Sequence, residues 1–391
     1  MKKYFLLIVA ISISLTAFSQ KGKVTSALSL IDQGQLDKAK TAIDEALQNE
    51  KTANWYNTFY AKGKLCQAVY KSTNPQFKEL CPKPLQEAYA AYEKALSVDE
   101  KGAMKKKIIT GMVYNTLAVD LYSQGSTLYE AKDYTAALEA FETQIKVSES
   151  ELYASAIDTG MYFNAGLSAL NSGKPDDAIK YFEKCAQLGY LGPSPYYQIS
   201  SGYLAKGDTL KAETTLLELP KKFEGDKEVL LKIIDFYINS GRNAEALKYM
   251  DQAKANDPQN PVLYHVSGIL NLNMNNFDVA ISEIQKSIDL KSDYWDTQYA
   301  MGVAYINKAA DMFTKANEIV DMNVYSKTID EANAIYAKAL PFMEKAHELK
   351  PDDVDTLERL KELYYRLKQK DASLNAKYDE VRKKIDALQN K

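Results

Sequence analysis

The sequence of 391 residues has only three cysteines and two histidines. That scarcity removes most metal and thiol chemistry at the outset. Neither His265 nor His347 has a second ligand at metal-binding spacing, and His347-Glu348 lacks the second histidine of a zinc-protease helix. No glycine-rich phosphate loop follows a strand, and no strand is readable. No metal, cofactor or catalytic residue is therefore expected. An excess of positive charge is also missing. With 49 Lys and Arg against 52 Asp and Glu, both signs interspersed, the net charge of −3 leaves no electrostatic footprint for nucleic acid. The one basic run, Lys105-Lys106-Lys107, reads as a solvated helix face. Nothing after the first 19 residues is apolar for the ~20 residues that a membrane helix needs.

Those first residues have a character of their own. Lys2 and Lys3 precede an apolar stretch from Tyr4 to Phe18 that is diluted by Ser12, Ser14 and Thr16, and Ala17-Phe18-Ser19 offers small residues to a signal peptidase. The expectation is a leader over 1–19, cleavage before Gln20, and export to the periplasm or out of the cell. Its removal takes two lysines and no acids, leaving −5. No cysteine follows the apolar stretch directly, so lipid anchoring is not expected.

What the sequence has in abundance is repetition. Windows of 34 residues starting at Thr159, Pro193, Lys227, Pro261 and Trp295 bring similar residues to the same offsets without insertion or deletion. The eighth place carries Gly166, Ser200, Ile234, Gly268 and Gly302. The twentieth carries Ala178, Ala212, Ala246 and Ala280, and the twenty-fourth carries Phe182, Leu216, Met250 and Ile284. Each half-window reads as an amphipathic helix, as in Leu230, Ile233, Ile234 and Tyr237 followed by Ala246, Met250 and Ala253. Between the halves the fifteenth place carries Gly173, Gly207, Gly241 and Asn275, residues that tolerate the left-handed conformation ending a helix. Small residues at places eight and twenty let the two helices approach, and the bulky twenty-fourth fills the space beside them. A pair cannot bury both faces alone, so neighbouring pairs must stack.

These residues resemble the tetratricopeptide repeat. Tyr162, Tyr196, Leu230 and Tyr264 stand at its fourth place and Pro258 and Pro351 at its thirty-second, while Ile234 and Asn271 depart from its pattern. The resemblance implies an all-α fold, a right-handed superhelical solenoid of antiparallel helix pairs. About eight repeats are expected, over 20–49, 56–99, 118–151, 159–192, 193–226, 227–260, 261–294 and 295–351, with 352–391 as a charged helical cap, all in one domain. Two repeats are stretched. In the window from Tyr56 the second helix (Ala88, Tyr92, Ala95) arrives 13 residues late, and in the window from Trp295 Ala339, Met343 and Ala346 arrive 25 residues late.

The early insertion, Gln67 to Leu85, contains three prolines and reads as a loop. In an exported chain Cys66 and Cys81 can form a disulfide across it, adding about 3 kcal/mol if unstrained; two free thiols are the alternative. Cys185 sits at a small twenty-seventh place and reads as a buried apolar residue. The late insertion, 307–338, has two apolar stripes separated by Asp321-Met322-Asn323 and Ser326, which predicts a projecting helical hairpin whose stripes satisfy each other or dock a partner.

The resemblance also implies binding on a concave face lined by the second, fifth, ninth, twelfth and thirteenth places of the first helices. Here the thirteenth place holds Asn171, Asn239, Asn273 and Asn307, amides that could clamp the backbone of an extended peptide; capping of helix ends is the plainer account of them. Phe163, Tyr197, Tyr299 and Tyr122 at fifth places, with His265 among them, would add aromatic contacts. The expected function is a non-enzymatic exported scaffold that binds a partner protein or peptide. Binding of envelope glycan or a small solute, and self-association through the 307–338 hairpin, are the alternatives.

Overall fold

A computed structural model describes residues 21–369 and 371–389. The expected leader, 1–19, lies outside the described residues. Every regular element among the described residues is helical, and consecutive helices pack as antiparallel pairs in a tetratricopeptide-like arrangement. Internal contacts divide the chain into two units, the first ending at Thr215 and the second starting at Leu216.

The first unit contains α1 (21–32), α2 (Leu36–Gln48), α3 (Tyr56–Lys71), α4 (Pro84–Ser97), α5 (Ala103–Thr110), α6 (Val113–Glu130), α7 (Tyr134–Ser148), α8 (Gly160–Asn171), α9 (Pro175–Gln187) and α10 (Ser194–Ala205). Helix α11 (Thr209–Leu217) runs across the division. The second unit contains α12 (Leu219–Lys222), α13 (Lys227–Asn239), α14 (Asn243–Asn256), α15 (Pro261–Asn273), α16 (Phe277–Leu290), α17 (Trp295–Ala316), α18 (Met322–Ala337), α19 (Leu340–Leu349), α20 (Val354–Leu367) and α21 (Leu374–Gln389).

The pair α13/α14 shows how sequence becomes a repeat. Asp226 caps α13 by accepting from the Glu228 amide at 2.9 Å. Leu230, Ile233, Ile234 and Tyr237 are buried along one face, and Ala246, Met250 and Ala253 along the facing side of α14. The helix stops because Gly241 adopts φ 70°. Its amide then bonds Ile238 O at 3.0 Å and the Arg242 amide bonds Tyr237 O at 2.8 Å, which satisfies two terminal carbonyls. Asn275 repeats the device at φ 59°. So does Lys132 at φ 63°, where the side chain gave no sign of a left-handed stop.

Close approach explains the small eighth place. A Cβ added to Gly166 would sit 2.6 Å from the Phe182 ring, and one on Gly268 would sit 2.4 Å from Ile284. Where the eighth place is Ser200, its hydroxyl donates to Ala212 O at 3.0 Å. The two stretched windows lack a glycine or asparagine at the fifteenth place, having Tyr70 and Ala309, and their first helices run on to Lys71 and Ala316. Even so, the delayed second helices find the same contacts. Tyr92 lies within 2.4 Å, and Met343 within 2.7 Å, of where a Cβ on Gly63 or Gly302 would be.

Several details differ from the sequence reading. The early insertion is no simple loop, since Asn74 caps a 3₁₀ turn over Pro75–Leu80. The basic run does lie on a helix, α5, which falls between two of the expected repeats; it buries Met104 and Ile108 and places Lys107 Nζ 3.8 Å from the Tyr60 ring centre, so this lysine is not part of a merely solvated face. Asn-Pro and Ser-Pro pairs at two helix starts suggest capping by the residue before proline; Asn260 does cap α15 through the Val262 amide, but Ser194 is already the first residue of α10 and does not cap it. The late turn falls at 317–321 rather than around Met322, because Asp321 caps α18 through the Asn323 and Val324 amides. Ala309, Ala316, Ala332 and Tyr336 are buried, so the hairpin stripes largely satisfy each other. Residues 354–389 form a further helix pair that buries Leu357, Leu360, Val381 and Ile385.

Candidate functional site

Within the second unit, the solvent-facing side of the first helices is built by the helical repeat. Leu231, Asp235 and Asn239 on α13 follow spacings of four and are exposed. Val262 and Asn273 on α15 and Asn307 on α17 are exposed as well, while His265 and Tyr299 are half-buried. Asn239 and Asn273 are the last residues of their helices, where a capping role explains an asparagine. Asn307 lies inside α17, so a helix end does not account for it.

The aromatic residues are partly committed to packing. Tyr299 stacks on Trp295 with centroids 5.3 Å apart, and Lys350 Nζ stands 3.6 Å from the Trp295 ring. His265 Nδ1 is 3.3 Å from Thr297 Oγ1, and its ring leans on Tyr294. Burial, partly opposed by the Asp296 charge, depresses the His265 pKa, so the ring is neutral at pH 7. This is an amide-and-aliphatic surface with little charge chemistry.

In the first unit the anticipated residues are more deeply engaged. Asn171 donates to Leu167 O at 2.9 Å and to Tyr129 Oη at 3.0 Å, so its amide has internal partners. Phe163 meets Phe182 edge-on at 5.4 Å and Tyr190 at 5.9 Å and belongs largely to the core. Tyr197 is half-buried. Sequence reasoning missed a buried polar cluster between α3, α4 and α6. Gln67 donates to Asp120 at 3.0 Å, Tyr92 donates to Gln67 at 2.6 Å, and Lys71 pairs with Asp120 at 3.1 Å. Each polar group there has a partner, which is what burial of a carboxylate requires. Among the described residues exposed Leu231 and Val262 were also missed, since an aliphatic residue on an amphipathic helix reads as core.

Cys66 and Cys81 are joined in a disulfide with Cα atoms 5.7 Å apart, tying the 3₁₀ segment to α3. Glu87 lies near both sulfurs, and these three are the one grouping of potential metal ligands among the described residues. Sulfurs bonded to each other are not thiolate ligands, so the group does not fit a metal. Cys185 is fully buried, and burial pushes its thiol up to about 12, which leaves it unreactive.

Comparison with known proteins bears on this geometry. Residues 159–188 match one tetratricopeptide-repeat family model and residues 197–261 match another. These segments of the chain carry tetratricopeptide repeats. No curated protein is significantly similar to this chain. Solved structures similar to it include the C-terminal part of a TPR repeat-containing protein from Cytophaga hutchinsonii, at 15% identity and TM-score 0.48, covering 68% of this chain and 95% of that one. Another is a TPR repeats protein from Bacteroides fragilis, at 20% identity and TM-score 0.32, covering 64% and 98%. A third is YrrB, a TPR protein with an unusual peptide-binding site, at 18% identity and TM-score 0.35, covering 50% and 96%. Tetratricopeptide repeats serve generally as protein-interaction scaffolds, and none of the helices described in this chain is long and apolar enough to cross a membrane.

Proposed function

We propose that this protein is a non-catalytic, exported scaffold that holds a partner protein or an extended peptide on the solvent-facing side of its first helices. The observation that carries the reading is the exposure of Asn239, Asn273 and Asn307 at one repeat position, with the last of them away from any helix end. Amides offer a donor and an acceptor each, so a row of them can hold a peptide backbone without reading side chains. Exposed Leu231 and Val262 beside them supply apolar area. The leader-like sequence of 1–19 and the Cys66–Cys81 disulfide support an oxidising compartment outside the cytoplasm.

Photo-reactive residues at Asn239, Asn273 and Met322, cross-linked in intact cells and read by mass spectrometry, test the assignment. A discrete partner captured from the asparagine positions, and lost when the other asparagine is changed to glutamate, is the expected result. Capture only from Met322 would move the site to the hairpin. That second reading is favoured by one observation: Val320, Met322 and Val324 are 95%, 73% and 51% exposed at the hairpin tip.

A further inference from the structure

A cleft of about 560 Å³ opens in the first unit between α7 and α9, which are second helices, so it is separate from the surface discussed above. Two facing helical stripes line it: Glu142, Lys146 and Glu149 from α7 and the residue after it, and Lys180, Lys184 and Gln187 from α9. Buried Tyr162 and half-buried Tyr181 also line it.

The polar groups in this cleft are held in place rather than merely solvated. Tyr181 Oη donates to Glu142 Oε1 at 2.9 Å, and Tyr162 Oη donates to Glu149 Oε1 at 2.6 Å. Burial and the carboxylates they serve push both phenols above their ordinary range, so they stay donors throughout the neutral region. Each carboxylate is thereby oriented by one oxygen and retains the other as an acceptor. Lys184 stands 5.8 Å from the Tyr162 ring centre. Among the described residues Lys146, Lys180 and Lys184 form no ion pair, although acids line the same cleft.

The lining balances three lysines against Glu142, Glu149 and Glu183. A balanced lining gives no net attraction to an anion or a cation, yet it offers fixed acceptors and several donors around aromatic walls. A neutral polyhydroxylated molecule uses both kinds of group at once. The volume lies within the range of small-ligand sites, roughly 300–1,000 Å³. We propose that this cleft binds a neutral saccharide of two or three rings, its hydroxyls donating to Glu142 and Glu149 and accepting from Lys180 and Lys184. The proposal does not depend on the scaffold reading.

Calorimetric titration of the leaderless protein with maltose, cellobiose and N,N′-diacetylchitobiose tests it, with amide NMR shifts locating any binding. The expected result is saturable binding of at least one disaccharide, shifts centred on α7 and α9, and about tenfold weakening in Tyr181→Phe, which frees Glu142 from its donor. Lys180→Ala, at an exposed position, is the second variant should Tyr181→Phe fail to fold, and a similar weakening is expected. Absence of binding by all three sugars at ~20 mM, well above a 1 mM dissociation constant, would overturn the assignment. Binding unaffected by the variants would overturn it too, as would preference for diglycine, a zwitterion that a balanced charge lining could also take.

Discussion

The repeats over 159–294 and the two stretched repeats, 56–99 and 295–351, solve one packing problem in two ways. In the regular repeats a left-handed residue stops the first helix, as at Gly241 and Asn275, and the second helix returns at once. In the stretched ones Tyr70 and Ala309 occupy that place, the first helix runs on, and extra chain is spent before the return. Yet Gly63 still receives Tyr92 and Gly302 still receives Met343, as Gly166 receives Phe182. The close contact between the eighth place and a bulky residue is thus separable from the spacing that usually delivers it. Spacing is set locally by a stop residue, whereas the contact is set by the need to fill the space beside a glycine.

The comparison predicts similar energetics on both sides. Phe182→Ala in a regular repeat should cost about 3–5 kcal/mol and Met343→Ala in the stretched one about 2–5, read by urea unfolding of the first and second units. A loss below about 1 kcal/mol at Met343 would mean that the delayed helix packs loosely.

The early insertion adds a restraint that the late one lacks. Replacing Cys66 and Cys81 together by alanine should lower the stability of the first unit by about 3 kcal/mol, the loop-closure value for its 15-residue separation, and leave the second unit's transition in place. An unchanged denaturation midpoint would remove the disulfide from the account.

The stop-residue argument can be sharpened directly. Ala309→Gly puts the missing residue into α17 and should cost about 1 kcal/mol if the helix still runs through it. Hydrogen exchange would show whether the amides of 310–316 lose protection, which would mean that the helix now ends there.

The smallest effect concerns pH. Burial depresses the pKa of His265 in a regular repeat, and burial with the Lys384 charge depresses that of His347 in the stretched one. Their neutral forms favour the folded state. That stability is present above the unfolded value of about 6.5 and is lost as pH falls through the depressed folded values. Unfolding midpoints should therefore decline from pH 7 to pH 5, and His265→Gln with His347→Gln should flatten the decline. An equal slope in the double variant would exclude both histidines as its source.

Much of this was legible in the sequence because the repeat writes its packing into residue size. The pairings of Gly166 with Phe182 and Gly268 with Ile284, the stops at Gly241 and Asn275, and the delayed returns at Tyr92 and Met343 all follow from offsets. What was not legible depended on single side chains overriding a general preference. Lys132 takes the left-handed stop with a residue that seldom does so. Asp321 fixes the start of α18 by a capping bond rather than through the Met322 region. At the candidate sites, Phe163 and Asn171 turned out to have internal partners that only tertiary structure supplies. The α7/α9 cleft was invisible because Glu and Lys at helical spacing look the same on a solvated face as on the wall of a cleft.

The most direct test of the central claim is a double-mutant cycle at Gly302 and Met343. Gly302→Ala alone should destabilise the second unit by about 1–3 kcal/mol, because its Cβ would meet Met343 at 2.7 Å. Met343→Ala alone should also destabilise it, and in the double variant the added methyl should partly occupy the vacated space. The expected result is a compensating coupling energy of about 1–3 kcal/mol. Additive losses would contradict the claim that the delayed helix restores the contact of the regular repeat.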